Sequence, residues 1–536
     1  MKKLVSLALA AAMTLSLVAC GGGGGGSTSS GDAPGSSSGN TQQEVANQGT
    51  VDTTIDETVT YKKEIVVASH GASNKIDPQT GSSFNNTTLY QMAYDRLAYY
   101  NPTTQEITPM LAESWEVSDD GLSYTFKLRE DVTFHNGEKF TADDVVFTWE
   151  RGKGSAEVNV KKYYNAIVSC EALSDYSVKM TLESVNADFV FWMTFPYMCM
   201  LNREACEADP ENGYFIGTGL WKWEKHEADD YDSFVRNDNY WGETTPTEHM
   251  TFRYIPEASA RLIALENGEI DVAYNVAETE VDYVRENDDL DLVETNQVTL
   301  QYMNFNMAKE GLTQDANFRL AVAHAIDWDA LIQGVKNGHA TRATTVWSHA
   351  QFGYDPLDGY DYNVDKAKDY LAKSSYAGEK VIITGNANSD YAKSSLVIMD
   401  MLTKIGINVE FVEIGSGNFV TDIKAGNWDM VVYQLSFAGF GSDFTRLLGT
   451  TNGGFGIINA PNKDKIYEVC DKALVADTDE ERLDLYSQAQ QLMFEDACFI
   501  PLFYPKCFTG VTKGVSGILY AANTDFDYRY VKMPEA

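Results

Sequence analysis

Between Val381 and Leu435 the sequence alternates strand and helix with few residues to spare. Val381 to Thr384 reads as a strand, Tyr391 to Lys404 as a helix stopped by Gly406, Ile407 to Ile414 as a strand, Phe419 to Lys424 as a helix and Met430 to Leu435 as a strand. Strands separated by single helices in this rhythm build a mainly parallel sheet, and such a sheet binds ligands in the crevice at the carboxyl ends of its strands. The loop from Ser436 to Asp443 occupies one of those ends. It places Phe437 and Phe440 beside Gly439 and Gly441, where core packing accounts poorly for two aromatic rings and a binding surface accounts for them well.

The same α/β character extends over the body. Ile65 to Ala68 is a β-branched run, and Thr88 to Leu97 carries Leu89, Met92, Ala93 and Leu97 on one helical stripe. Trp115 to Val117 and Tyr124 to Leu128 flank Ser118-Asp119-Asp120-Gly121 and read as a hairpin, after which Thr141 caps a helix with Asp143 and Asp144 in its first turn. Ala258 to Asn267 is helical up to Gly268, and Ile270 to Tyr274 is a strand. Phe318, Val322 and Ile326 share a helix face, and Asp327 starts a helix that buries Leu331, Ile332 and Val335. Helices over Lys463 to Leu474 and Asp479 to Glu495 precede a β-rich tail, Phe499 to Val511. A chain of 536 residues has room for roughly three domain-sized units once a leader and tether are set aside.

The N-terminus supplies that leader. Lys2 and Lys3 precede an apolar stretch from Leu4 to Ala19, too short for a membrane span and typical of an export signal. It ends in Leu17-Val18-Ala19-Cys20-Gly21, which resembles the lipobox of bacterial lipoproteins and implies a diacylglyceryl group on the thiol of Cys20. Gly21 to Thr60 has no Lys, Arg or aromatic residue and reads as a disordered tether. A flexible coil of 40 residues spans about 35 Å on average. The formal charge is −37, and cleavage before Cys20 would make it −39, since two lysines and no acid are lost (39 − 78). Such a field repels phosphate backbones, so nucleic acid is excluded as a partner. Six cysteines remain in the body: Cys170, Cys199, Cys206, Cys470, Cys498 and Cys507. Disulfides and free buried thiols are both compatible with that count.

Signatures of catalysis are missing. His226-Glu227 lacks the second histidine of a zincin, and Gly35-Ser36-Ser37-Ser38-Gly39 has the nucleophile-elbow spacing but lies in the tether. Gly415-Ser416-Gly417 lacks the third glycine of a dinucleotide site, and the aspartates at 355, 358, 361 and 365 do not have EF-hand spacing. We therefore expect no enzyme, no cofactor and no metal site.

Three blocks stand out from Leu111 onward. Leu111-Ala112-Glu113-Ser114-Trp115 leads to Phe134-His135-Asn136-Gly137 and Phe140-Thr141-Ala142-Asp143-Asp144-Val145. A second block is Gly217-Thr218-Gly219-Leu220-Trp221 with Arg236-Asn237-Asp238-Asn239-Tyr240-Trp241-Gly242, and a third is Asn304-Phe305-Asn306-Met307 followed by Ala325-Ile326-Asp327. In these blocks the chain resembles family 5 of the extracellular solute-binding proteins, the dipeptide, oligopeptide and nickel binders of ABC importers. The resemblance implies an α/β, two-lobed periplasmic-binding-protein-like fold (type II, cluster C) with an extra subdomain in lobe I. It places the signal peptide at 1–19, the lipidated cysteine and tether at 20–60, and the lobe I core at 61–96, 213–300 and 500–536. The subdomain falls at 97–212 and lobe II at 301–499, with crossings near Gln301 to Asn306 and Phe499 to Tyr504. It implies a ligand enclosed as the lobes close, with no bond made or broken.

The resemblance also implies a monomer, anchored through Cys20 on the extracellular face of the membrane (or periplasmic in a two-membrane cell), that delivers peptides to a permease. Oligosaccharides or a chelated metal are alternatives within the fold; an exported hydrolase or an adhesion scaffold are alternatives outside it. The expected ligand-binding residues are Phe437, Phe440 and Asp443, with Phe419, Tyr302, Trp347, Asn74 and Thr218. One departure stands out. Peptide binders of the family usually carry an Ala-Asp or Gly-Asp pair in the loop after the last strand of lobe II, where the carboxylate holds the peptide ammonium. Here those positions read Gly439-Phe440, and Asp443 is the nearest acid.

Overall fold

The computed structural model describes residues 54–101, 106–348, 351–387, 389–415, 417–436, 459–476, 478–520 and 526–535. The expected alternation is present within a few residues: strand Val381–Asn386, helix Asp390–Lys404, strand Val409–Ile414, helix Phe419–Ala425 and strand Met430–Ser436. Val381–Asn386 pairs in parallel with Val409–Ile414 on one side and Met430–Ser436 on the other. Thr299–Phe305 then adds antiparallel to Met430–Ser436, with Tyr302 opposite Tyr433.

A second half of the same 12-stranded sheet is organised around Glu64–Ser69. That strand runs parallel to His249–Tyr254 and to Val272–Ala273, and Tyr231–Arg236 and Trp221–Glu227 extend it antiparallel toward the edge. The two halves meet on one 14-residue strand, Phe499–Thr512. Its first part pairs with Thr299–Phe305 and Ala340–Arg342, its second part with Leu290–Asn296 and Val272–Ala273. The chain changes halves of the sheet between Asn296 and Thr299 and again around Pro505. Proline brings no N–H to the ladder, so the change of partners falls where a donor is missing.

A separate four-stranded antiparallel sheet, Ala112–Val117, Ser123–Leu128, Ser177–Leu182 and Ile167–Ser174 in spatial order, contains the expected hairpin. Its core is Leu111, Phe126, Leu128, Phe134, Phe140, Val145 and Phe189, distinct from the core around Phe305, Phe318, Leu331 and Ile398 and from that around Ile65, Tyr94, Trp221 and Phe252. Asp144 sits at the start of the Ala142–Lys153 helix and accepts from the backbone N–H of Thr141 at 2.9 Å, as the capping reading requires.

One expected element is displaced. The helix read over Thr88 to Leu97 is Phe84–Ala93. Tyr94 is already extended, and the groups that would continue the helix are taken by tertiary partners: the Ala93 carbonyl accepts from Gly219 N–H at 3.0 Å and Asp95 N–H donates to Thr218 Oγ1 at 3.1 Å. The strand read over Ile270 to Tyr274 shortens to Val272–Ala273 because Asp271 turns its carboxylate to Val66 N–H and Lys62. All six body cysteines are buried and free. Among the described residues no helix is long and apolar enough to cross a membrane.

Candidate functional site

Three elements bring aromatic side chains together at the carboxyl end of Met430–Ser436. Tyr433 is supplied by the strand, Tyr391 by the first turn of Asp390–Lys404 and Phe419 by the first residue of Phe419–Ala425. The Phe419 and Tyr433 rings stack at 5.2 Å with 27° between their planes, and Tyr391 meets Tyr433 at 5.6 Å and 60°. Tyr302 lies opposite Tyr433 in the ladder and packs its own ring on Phe499 at 5.1 Å. Burial, then the neighbouring phenols, hold the Tyr302 and Tyr391 hydroxyls protonated far above the usual tyrosine range. The cluster is therefore neutral and amphipathic, with apolar faces and hydroxyl edges. Two of the expected residues, Phe419 and Tyr302, belong to it; Tyr391 and Tyr433 were not singled out from the sequence. Phe437, Phe440 and Asp443 follow this strand in the sequence and lie outside the described residues.

The other half contributes the segment after Glu64–Ser69. Asn74 is exposed there, with its N–H donated to Asn86 Oδ1 at 3.3 Å alongside Ser73 Oγ at 2.9 Å. His70 stacks on Tyr274 at 5.7 Å, and burial together with the charge of Arg261 lowers its pKa. Arg261 is buried and donates to four carbonyls, those of Tyr274, Ile255, Pro256 and Asn275, at 2.6 to 2.9 Å. One side chain thus fixes the turns at the ends of two strands. Beneath the segment is a small cavity of about 20 Å³ lined by Val67, Ser69, Asn85, Thr88, Leu89, Phe252, Tyr254, Tyr274 and Tyr528. Asn85 Oδ1, Thr88 Oγ1 and Tyr254 OH are buried there without a hydrogen-bond partner among the described residues. Unpaired buried polar atoms are costly, and a cavity of this size has room for one water to bridge them.

Two expected residues sit elsewhere. Thr218 has no exposed surface, and its hydroxyl accepts from Asp95 N–H. Trp347 is fully buried; its ring meets Tyr486 at 6.3 Å and its carbonyl accepts from Tyr504 OH at 2.5 Å. Both are occupied with packing in this conformation.

Parts of the first two blocks meet around Thr218. His135 spans the Gly217–Gly219 loop: Gly217 N–H donates to Nδ1 at 3.2 Å, so the ring proton resides on Nε2 and is donated to Gly219 O at 2.9 Å. Burial pushes this imidazole down to about 4. Asp95 accepts from Trp241 Nε1 at 2.8 Å and Tyr240 OH at 3.2 Å, which ties the second half of that block to the same point. A Cβ on Gly217 would overlap the Ala93 carbonyl oxygen, and one on Gly219 would stand 2.6 Å from the Ala93 carbonyl carbon. In the third block Asn306 Nδ2 donates to the carbonyls of Gly426 and Trp428 at 3.0 and 3.1 Å, anchoring the turn that precedes Met430–Ser436.

Comparisons with known proteins agree with this architecture. A heme-binding protein A of Haemophilus influenzae is 27% identical over 477 residues, 82% of this chain and 86% of its own. The dipeptide-binding protein of Escherichia coli is 25% identical, with 85% of this chain and 92% of the relative covered. Among solved structures, HbpA2 of Haemophilus parasuis superposes with a TM-score of 0.79 at 25% identity, over 88% of this chain and 100% of that one. DppA of Helicobacter pylori in complex with the peptide STSA gives 0.71 at 24%, over 89% and 99%. The fold is the two-lobed one of periplasmic binding proteins. The family profile described as bacterial extracellular solute-binding proteins, family 5, matches residues 106–455, and the chain belongs to that family.

Proposed function

We propose that this chain is the substrate-binding lipoprotein of an ABC importer, that it captures di- or oligopeptides outside the membrane, and that Cys20 holds it at the membrane surface beside its permease. The observation that carries the peptide reading is the convergence of Tyr391, Phe419 and Tyr433 at the carboxyl end of Met430–Ser436, ahead of Phe437 and Phe440. Stacked, neutral rings with hydroxyl edges suit an extended ligand of alternating apolar side chains and amide groups. The relatives named for dipeptides and for di- and tripeptides support the same class. Asn74 would face the ligand from lobe I, taken as 61–96, 213–300 and 500–536 with the subdomain 97–212; lobe II is 301–499. Closure of the two lobes then encloses the ligand without chemistry.

Calorimetric titration with Met-Leu, Ser-Thr-Ser-Ala, its N-acetylated form, glutathione and hemin tests the reading. Binding of the free peptides is expected. Hemin binding without peptide binding would transfer the assignment to the class named by the Haemophilus influenzae relative. Asp443→Asn should weaken binding of the free-amine peptides by about 2 to 5 kcal/mol and leave the acetylated one unchanged, because Asp443 is proposed as the counter-ion that Phe440 cannot be. For the anchor, Cys20→Ser should move the protein from the membrane fraction to the soluble one.

A further inference from the structure

We propose that Asp188 and Arg482 are positioning residues for ligand capture: their buried ion pair is a clasp between the four-stranded-sheet subdomain and lobe II that sets how far the two lobes close. The inference rests on the two-lobed reading of the chain and is independent of which ligand it takes.

The two side chains belong to different cores. Asp188 immediately precedes the helix Phe189–Trp192, whose Phe189 and Phe191 are buried with Phe126 and Leu128 of the four-stranded sheet. Arg482 is in the helix Asp479–Asp496, whose Tyr486, Ala489 and Met493 are buried with Phe305, Ile500 and Tyr504. Their side chains are 3% and 8% exposed, and Arg482 Nη2 donates to Asp188 Oδ1. Asp479 accepts from Arg482 Nη1 at 3.0 Å from the outer side, where it is 74% exposed. One residue before Asp188, Ala187 N–H donates to Leu474 O at 3.1 Å, so backbone as well as side chain spans the gap.

The contact is also connected to the strand the two lobes share. The Arg482 guanidinium lies 4.6 Å from the centre of the Phe352 ring, and Phe352 packs against both cores. Phe352 meets Tyr486 edge-on at 6.2 Å, Tyr486 meets Trp347 at 6.3 Å, and the Trp347 carbonyl accepts from Tyr504 on Phe499–Thr512. Gly353 keeps this row close. It has φ +88°, and a Cβ there would stand 2.6 Å from the Tyr486 ring. A movement of lobe II relative to the subdomain must separate Arg482 from Asp188 and break the Ala187 bond. Two charges that are dry when joined regain water when apart, so removing one takes away the charge that best offsets the burial of the other, which favours separation.

The test uses the ligand-free full chain carrying Cys20→Ser. Small-angle scattering on Asp188→Asn and Arg482→Gln should show a radius of gyration larger by about 1 Å, on a body for which about 23 Å is expected. The charge exchange Asp188→Arg with Arg482→Asp should return most of it. In Arg482→Gln the Ala187 amide should exchange with deuterium at least tenfold faster while amides of Ser123–Leu128 keep their rates. An unchanged radius with unchanged Ala187 exchange would overturn the clasp. So would faster exchange spread evenly over the subdomain, which is the signature of a pair that only stabilises the fold. Should the charge exchange fail to fold, Arg482→Lys takes its place, with an intermediate radius expected. Because no ligand is added, failure here leaves the peptide assignment untouched, and failure of peptide binding leaves this result standing.

Discussion

The junction around Asp95 and the aromatic cluster around Tyr433 are built on opposite principles. At the junction, Gly217, Thr218, Gly219, His135, Asp95, Tyr240 and Trp241 are saturated with one another through backbone and side-chain hydrogen bonds. At the cluster, Tyr391, Phe419 and Tyr433 meet through ring faces, and Gly439 and Gly441 follow the strand beneath them in the sequence. The first arrangement tolerates almost no alternative side chain, whereas the second can accept any ring that fits. The residues that make the family recognisable are therefore those that assemble the scaffold, and the residues proposed to choose the ligand lie outside those blocks.

The sharpest way to break this contrast is a substitution that fills the junction. Gly217→Ala or Gly219→Ala sets a methyl group against the Ala93 peptide, and we expect a loss of about 3 kcal/mol or more, read as a fall in the urea midpoint. Unchanged stability would mean that the loop is not held as tightly as its contacts suggest.

A pH series comes next in size. The His135 pKa falls from its ordinary 6.5 to about 4 in the folded chain, so the unfolded chain binds a proton first as pH drops. Its contribution is fully present above pH 6.5 and is lost on the way down to pH 4, about 3 kcal/mol in all. Asp232 opposes this. Burial, partly offset by His226, raises its carboxyl to about 6, so the folded chain gains relative stability as that group protonates. The His135 share is isolated by comparing wild type with His135→Gln at pH 7, 5.5 and 4: the difference between them should narrow as pH falls. A constant difference would deny His135 its buried, neutral state.

The smallest effect belongs to the cluster. Tyr391→Leu keeps an apolar side chain on a half-buried helix face, so stability should change by less than about 0.5 kcal/mol, while peptide affinity should fall by about 1 kcal/mol with the lost ring. If instead stability fell and affinity held, the cluster would be packing of the same kind as the junction.

How much of this was legible follows from the same contrast. The alternation from Val381 to Ser436 appears in the sequence because each element there is set by its own periodicity. The end of the first helix was misplaced because Leu97 continues a helical stripe that the chain abandons at Tyr94, for the sake of bonds to Gly219 and Thr218 more than a hundred residues away. Thr218 itself looked available to a ligand, since nothing local reveals that Asp95 uses its hydroxyl. Tyr433 was hidden inside an apolar strand, and only the ladder that sets it opposite Tyr302, with two helix starts above it, gives it company. Arg261 lies within the helix expected over Ala258 to Asn267, and its four carbonyl partners come from turns that sequence spacing does not bring together.

The strand shared by both halves has a consequence for how the protein is made. Phe499–Thr512 completes the pairing of Thr299–Phe305, Leu290–Asn296 and Val272–Ala273, yet it follows all three in the chain, after the whole Val381–Ser436 unit. A chain emerging N-terminus first can form the four-stranded sheet and the Val381–Ser436 unit early, but both large half-sheets keep an open edge until this late strand has appeared. For that interval the molecule is two unfinished sheets exposing unpaired strands, the condition in which chains pair with the wrong neighbour. A single premature stop ahead of residue 499 would therefore leave neither half finished, and the product would go to proteases and chaperones.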